Sequence, residues 1–161
     1  MKTIRPHRRF LKTVGAAFSA LVVFVAWSFV DPPTYEIEYT LPADSTRLIA
    51  GFTPMHAYLT EYERSLAVVR PDGTRTEAKL FPDTGGYRRG QLYQAEDGIL
   101  YLKGYFDVAR VNSKTGELKV ISSPVPEGAS YLGAFDYVRD IGWRFLLPSE
   151  SAEQPLEATG G

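Results

Sequence analysis

Four short turn sequences, each between two strand-like runs, constrain the fold of this chain more than any other feature. They are Pro-Asp-Gly at 71–73, Glu-Asp-Gly at 96–98, Ser-Lys-Thr-Gly at 113–116 and Arg-Asp-Ile-Gly at 139–142. Glycine supplies the positive φ that tight turns need, and short polar side chains bond to the local backbone. Because such turns join apolar, β-branched runs in β-hairpins, the sequence predicts four successive hairpins.

The runs around these turns predict an all-β domain built as an antiparallel meander, which we expect to close as a small sandwich or open barrel. An earlier run, 35–41, alternates with its apolar side chains on one face, as in a strand with one wet face. Residues 47–52 are a second early strand, and 56–62 fit either a short helix or a loop. The other predicted strands are 65–70, 74–81, 91–94, 99–104, 105–112, 117–122, 131–138 and 143–147.

Blade-like sheets are the alternative architecture. Segments 68–80 and 109–121 are similar in layout and begin about forty residues apart, the spacing of propeller blades. Residues 99–121 resemble propeller-type repeats, in which a Leu-Tyr strand precedes a strand ending in Asn and a Thr-Gly turn. A propeller needs at least about four blades, and this chain has room for about three. The resemblance therefore implies sheets that need a partner to close.

An uncharged apolar stretch at 14–30 follows a basic N-terminus. As a helix it measures roughly 26 Å, enough for a thin bilayer, and its basic flank should stay in the cytoplasm. We expect a single-pass membrane protein with its domain in the periplasm or outside the cell. Its predicted parts are a cytoplasmic stub (1–12), a transmembrane anchor or uncleaved signal (13–30), a linker (31–34), an exported domain (35–147) and a flexible tail (148–161).

The N-terminus allows two other interpretations. A cleaved signal peptide needs a small-x-small site, and the best candidate, Ala26-Trp27-Ser28, has a bulky centre. The run Arg8-Arg9-Phe10-Leu11-Lys12 resembles the twin-arginine export signal but lacks the residue between the arginines and Phe-Leu-Lys. We therefore favour insertion by the general secretory route and a retained anchor.

The charges are segregated along the chain. All nineteen acidic residues follow residue 30, whereas five of the eighteen Lys and Arg precede it. The part after residue 30 thus has thirteen basic and nineteen acidic residues, a formal charge of −6, which argues against a nucleic-acid partner. The chain has no cysteine, which excludes disulfides and thiolate metal sites.

The sequence offers no catalytic set, and we expect neither enzyme activity nor a metal or cofactor. His56 is the only histidine after the apolar stretch, and a nucleophile pair or zinc site needs further partners. Asp72, Asp97 and Asp140 each lie one or two positions before a turn glycine, where aspartate bonds the local backbone.

The loop at 81–90 is the best candidate binding site, because two glycines precede adjacent arginines in an otherwise acidic domain. Arginine forks bind carboxylate or phosphate, and tyrosine stacks on ligands, so the predicted site residues are Asp83, Tyr87, Arg88 and Arg89. The favoured function is a non-catalytic envelope protein, held in lipid by its N-terminal helix, whose β domain binds another protein. The alternative is a small-ligand or glycan sensor that uses this loop.

Overall fold

The computed structural model describes residues 33–56, 59–86 and 88–156, which form ten β-strands and two antiparallel sheets. The strands are β1 (Tyr35–Thr40), β2 (Arg47–Pro54), β3 (Tyr62–Val69), β4 (Arg75–Lys79), β5 (Gly90–Gln94), β6 (Leu100–Lys103), β7 (Val108–Asn112), β8 (Glu117–Ile121), β9 (Ser130–Val138) and β10 (Gly142–Leu146). The described residues contain no helix, so the short helix considered at 56–62 is absent from the described part of that segment.

The first sheet is a four-stranded meander in the order β1-β2-β3-β4. Its last hairpin pairs Val69 with Arg75 around the predicted turn, where Gly73 has a φ of +85°. Asp72 accepts a hydrogen bond from the backbone N–H of Thr74 at 2.9 Å, so the turn chemistry inferred from the sequence is confirmed here.

The second sheet has six strands in the order β10-β9-β5-β6-β7-β8, and all three of its predicted hairpins are present. The sequence predicted a continuous meander, and the strand order departs from it at two points, because β4 does not pair with β5 and β8 does not pair with β9. Strand β9 returns across the sheet and pairs with β5 instead of β8. The reason is burial, because four of the five residues of β5 are buried and need neighbours on both sides, whereas β8 is largely open to solvent.

A register shift lies opposite Leu92 and Tyr93, where β9 carries one extra residue. Gly133 sits at this bulge with a φ of +139°, and a Cβ there would collide with the backbone oxygen of Leu146. The bulge allows β9 to bend while it pairs with β5 on one side and β10 on the other.

Both sheets contribute to one hydrophobic core. Its most buried side chains include Leu48 and Leu66 from the first sheet and Leu92, Leu100 and Phe135 from the second. The edges of the sheets also lie close together on both sides, since β1 contacts β10 and β4 contacts β8. A second apolar cluster around Tyr93, Ile99 and Tyr101 covers the outer face of the six-stranded sheet.

The anchor at 13–30 lies outside the described residues, and no helix among residues 33–56, 59–86 and 88–156 is long and apolar enough to cross a membrane. In the described part of the predicted tail, Ser151, Ala152 and Gln154 hydrogen-bond to side chains of Arg89 and Gln91, and Leu156 is buried. Buried polar side chains on the sheet supply the partners that the tail composition alone does not reveal.

Candidate functional site

A cleft of about 660 Å³ opens where the edge strands β1 and β10 of the two sheets meet. Four aromatic side chains and one arginine dominate its lining, and we call it the aromatic cleft. These residues are Tyr35, Tyr62, Tyr137, Trp143 and Arg88.

Local structure places Trp143 at the centre of the aromatic cleft. The hairpin between β9 and β10 turns tightly because Asp140 and Gly142 both have positive φ values, +69° and +100°. Trp143 follows this turn directly and is the cross-strand partner of Tyr137. The turn sequence therefore fixes a pair of aromatic side chains near the end of the sheet.

Ring contacts hold Trp143 from several directions. Its ring is stacked on that of Phe52 with centroids 3.9 Å apart and an interplanar angle of 21°. Tyr62 and Tyr137 meet it edge-on, with centroids at 5.1 Å and 5.6 Å, and Tyr35 lies at 6.4 Å in a stacked orientation. Such geometries are favourable for aromatic pairs, so the rings are positioned before anything binds.

Part of this aromatic surface faces solvent. Tyr35 is 43% exposed and Tyr137 is 40% exposed, although both pack beside a half-buried tryptophan. A tyrosine hydroxyl is protonated at neutral pH, and burial raises the pKa of the Tyr62 hydroxyl further above its ordinary value of 10.0. The cleft thus combines planar apolar faces with a neutral hydroxyl donor.

Arg88 supplies positive charge to the aromatic cleft. Its guanidinium lies 5.0 Å from the ring centroid of Tyr137, a distance suited to a cation–π contact. Within the part of the chain that the structure describes, no carboxylate forms an ion pair with Arg88. Glu36 also lines the cleft, and its described ion-pair partner is Arg75, at 3.9 Å. The guanidinium therefore places a positive charge beside the aromatic rings of the cleft.

Arg89, the neighbour of Arg88 in the sequence, does not line the aromatic cleft. Adjacent residues of an extended chain point to opposite sides, and Arg89 is directed to the outer face of the six-stranded sheet. It is 5% exposed and donates to the carboxylate of Asp136 at 2.9 Å and to the hydroxyl of Tyr131 at 3.1 Å. Arg89 therefore links Asp136 and Tyr131, which are more than 40 positions away from it in the sequence.

Asp83 is also a structural residue and not part of an open loop. It is 1% exposed, and its Oδ1 accepts a hydrogen bond from the N–H of Gly85 at 3.1 Å. Its backbone exchanges two hydrogen bonds with Tyr62, at 3.0 Å and 2.9 Å. Asp83 therefore shapes the loop and positions Tyr62 in the aromatic cleft. Tyr87, the remaining predicted site residue, lies outside the described residues.

Sequence reasoning missed most of the aromatic cleft. Tyr35 and Trp143 are more than a hundred positions apart, and no short-range pattern joins them. The available signal was the position of these residues near strand ends, with Tyr35 after a proline-rich entry and Tyr137 and Trp143 beside a tight turn. That signal indicates an exposed ring but not which rings meet.

The other groups considered from the sequence have ordinary surroundings. His56 is exposed and lies 3.5 Å from the carboxylate of Glu61. Asp97 accepts from the N–H of Ile99 at 2.9 Å, as expected of a turn aspartate. Among the described residues, no group of three or more His, Cys, Asp or Glu side chains is placed to hold a metal ion.

The described part of the chain is thus all-β, with two antiparallel sheets that share a core and leave an aromatic cleft at one seam. In comparisons with known proteins, no family model, no curated protein and no solved structure matches the chain.

Proposed function

We propose that this protein is a non-catalytic, membrane-anchored binding protein whose exported β domain receives another protein at the aromatic cleft. The observation that carries the proposal is the convergence of partly exposed tyrosines on Trp143 beside Arg88. Trp, Tyr and Arg are the residue types that most often dominate binding energy in protein interfaces.

Pre-organisation supports a binding role for this surface. Trp143 is fixed by its stack on Phe52 and its edge contacts with Tyr62 and Tyr137, so it loses little side-chain entropy when a partner binds. A cleft open to solvent on one side suits an apolar anchor from a protein surface. The charge of Arg88 favours a partner segment that carries a carboxylate next to that anchor.

Closure of the two sheets is part of the proposal. The shared core and the two neighbouring edge pairs, β1 with β10 and β4 with β8, favour a small sandwich or flattened open barrel over blade-like sheets. In such a closure the aromatic cleft lies at a seam where each strand pairs on one side only. A partner would then meet side chains from both sheets at once.

Affinity capture tests the protein-binding proposal. The tagged full-length protein, extracted in mild detergent, should bring down a partner in stoichiometric amount. The double variant Tyr35→Ala/Tyr137→Ala should lose that partner, whereas Val120→Ala, which changes an exposed side chain on β8, should retain it. Repeated clean preparations without a partner, or full retention by the folded double variant, would contradict the proposal.

A glycan or another small ligand is the second candidate, supported by the size of the aromatic cleft. A volume of about 660 Å³ falls within the usual range of small-molecule sites, roughly 300 to 1,000 Å³, and sugars stack on exposed aromatic faces. Only Arg88 of the predicted arginine pair is placed to contribute. Titration with oligosaccharides should then shift the NMR signal of the Trp143 indole N–H, and Arg88→Ala should weaken that response. An unchanged spectrum would count against this candidate.

Membrane attachment rests on the sequence of residues 13–30 and on the excess of Lys and Arg before them. Protease added to intact cells should degrade the β domain once the outer barrier is permeabilised, while the cytoplasmic contents stay protected. Protection of the β domain under those conditions would place it inside the cell and contradict the proposed topology.

A further inference from the structure

Residues 151–156, the C-terminal segment, lie along the outer face of β5 and β9 and bond to it chiefly through their backbone. The side-chain amide of Gln91 donates to the carbonyl of Gln154 at 2.9 Å and accepts from its N–H at 2.7 Å. A side-chain amide that bonds to both the N–H and the carbonyl of one residue makes the same two hydrogen bonds as a residue of a neighbouring β-strand. Such contacts recognise an extended chain with little regard to its side chains.

Two more side chains continue this backbone recognition. Arg89 donates to the carbonyl of Ala152 and to the hydroxyl of Ser151, both at 3.1 Å. The hydroxyl of Tyr131 donates to the carbonyl of Ser151 at 3.2 Å. Together, Arg89, Gln91 and Tyr131 thus contact Ser151, Ala152 and Gln154 of the C-terminal segment.

Side-chain contacts add selectivity to this face. The hydroxyl of Tyr93 donates to the carboxylate of Glu153 at 2.9 Å, and Leu156 is 3% exposed. The segment that occupies this face is therefore an extended peptide in which Ser151 provides a small hydroxyl, Glu153 a carboxylate and Leu156 a buried apolar side chain.

The groove floor consists of polar groups that water can satisfy. Gln91 and Arg89 are buried beneath the C-terminal segment, and both can bond to water when the segment leaves. The hydrophobic core lies on the opposite face of the same strands and would stay covered. Detachment of the segment therefore leaves the main core covered and uncovers Leu156 and the rings of Tyr93 and Tyr131, which distinguishes it from the removal of a core strand.

We propose that the face formed by Arg89, Gln91, Tyr93 and Tyr131 is a peptide-binding groove, filled within the same chain by residues 151–156. The groove accepts an extended Ser-x-Glu-x-x-Leu peptide from another molecule when its own segment is displaced. A covalently linked segment acts at an effective concentration near millimolar, so the linked segment excludes weaker competitors. This site is separate from the aromatic cleft and does not depend on the function proposed for it.

A truncation experiment tests the groove. The variant ending at Glu150 should bind a synthetic peptide of residues 151–156 in isothermal titration calorimetry, and the full-length protein should bind it far more weakly. Gln91→Ala in the truncated chain should weaken peptide binding by about tenfold or more, because two hydrogen bonds are lost. Gln94→Ala, which changes a glutamine on the opposite face of β5, should bind as the truncated parent does. A folded truncated protein that binds no peptide would overturn the proposal.

Hydrogen exchange on the full-length protein provides a second test that does not require the truncated chain to fold. The N–H of Gln154 should exchange at least tenfold faster than that of Leu92 in the core strand, because the segment opens without global unfolding. Equal rates for the two N–H groups would show that the segment detaches only when the whole domain unfolds, and the groove would then be rejected.

Discussion

Arg64 and Asp107 form a buried ion pair that joins the two sheets. The guanidinium belongs to β3 of the first sheet, and the carboxylate lies in the connection between β6 and β7 of the second, with Nη1 and Oδ1 3.4 Å apart. The side chains are 3% and 5% exposed. The second carboxylate oxygen of Asp107 accepts from the N–H of Phe81 at 2.6 Å, and Arg64 also donates to the Phe81 carbonyl.

We predict that Asp107→Asn lowers the free energy of unfolding by about 3 kcal/mol, because it leaves the charge of Arg64 buried without a counter-charge. Urea denaturation followed by circular dichroism measures the loss. Glu63→Gln, which removes an exposed pair with Lys79, is the matched control and should unfold close to the wild-type midpoint. Equal midpoints for the two variants would show that the buried pair contributes no more than a surface pair.

Substitution of Arg88 and substitution of Arg89 should lower the stability of the domain by different amounts. Arg89→Ala removes the partner of Asp136 and the contacts to the C-terminal segment, so we expect a loss of about 2 to 4 kcal/mol. Arg88→Ala removes a cation–π contact over Tyr137 and should cost less than about 1 kcal/mol. Thermal unfolding of the two variants side by side checks this order, and a larger loss for Arg88→Ala would reverse the assignment of their roles.

Alkaline pH should destabilise the domain through Tyr93. Burial raises the pKa of its hydroxyl above the ordinary value of 10.0, and the hydrogen bond to Glu153 raises it further. Above pH 10 the unfolded chain loses this proton while the folded chain keeps it, so stability is complete below that pH and falls as pH rises. The free energy of unfolding measured at pH 8 to 11 should fall less steeply for Tyr93→Phe than for the wild type. If the free energy of unfolding falls equally steeply with pH in both proteins, Tyr93 is not the group that causes the loss.

Substitution at the bulge glycine should be more harmful than at an exposed turn glycine. Gly133→Ala places a Cβ against the Leu146 carbonyl and forces a positive φ on alanine, so we expect a loss above about 3 kcal/mol. Gly128→Ala is the control, because its φ is +83° but no atom lies within 4 Å of the added Cβ, and it should cost about 1 kcal/mol. Chemical denaturation of both variants measures the difference, and similar losses would mean that the bulge tolerates a side chain.

The hairpins were predictable because each depends on a few neighbouring residues. Gly73 and Gly116 have the positive φ values that their turns need, and Asp72 and Asp97 bond to the backbone two positions on, as the sequence indicated. The inward face of the first strand-like run was predictable in part, since Ile37 and Leu41 are buried as the alternation required, whereas Tyr35 on the same face is 43% exposed.

The candidate site was predictable only in part. Arg88 does line the aromatic cleft, but Asp83 and Arg89 serve the structure, because burial gives each of them hydrogen-bond partners that the loop sequence does not show. Composition can mark a loop as unusual. It does not distinguish a side chain that faces a partner from one that faces its own sheet.

The sequence by itself determined the all-β class, the four hairpins and the faces of the early strand, because turn chemistry and two-residue alternation act over a few positions. Tertiary structure decided that β9 pairs with β5, that Trp143 meets Tyr35 and Tyr62, and that the C-terminal segment lies on Gln91. These pairings join residues 30 or more positions apart. Once the hairpins have formed, some buried strands and buried polar groups still lack a neighbour, and the pairings form where they supply one.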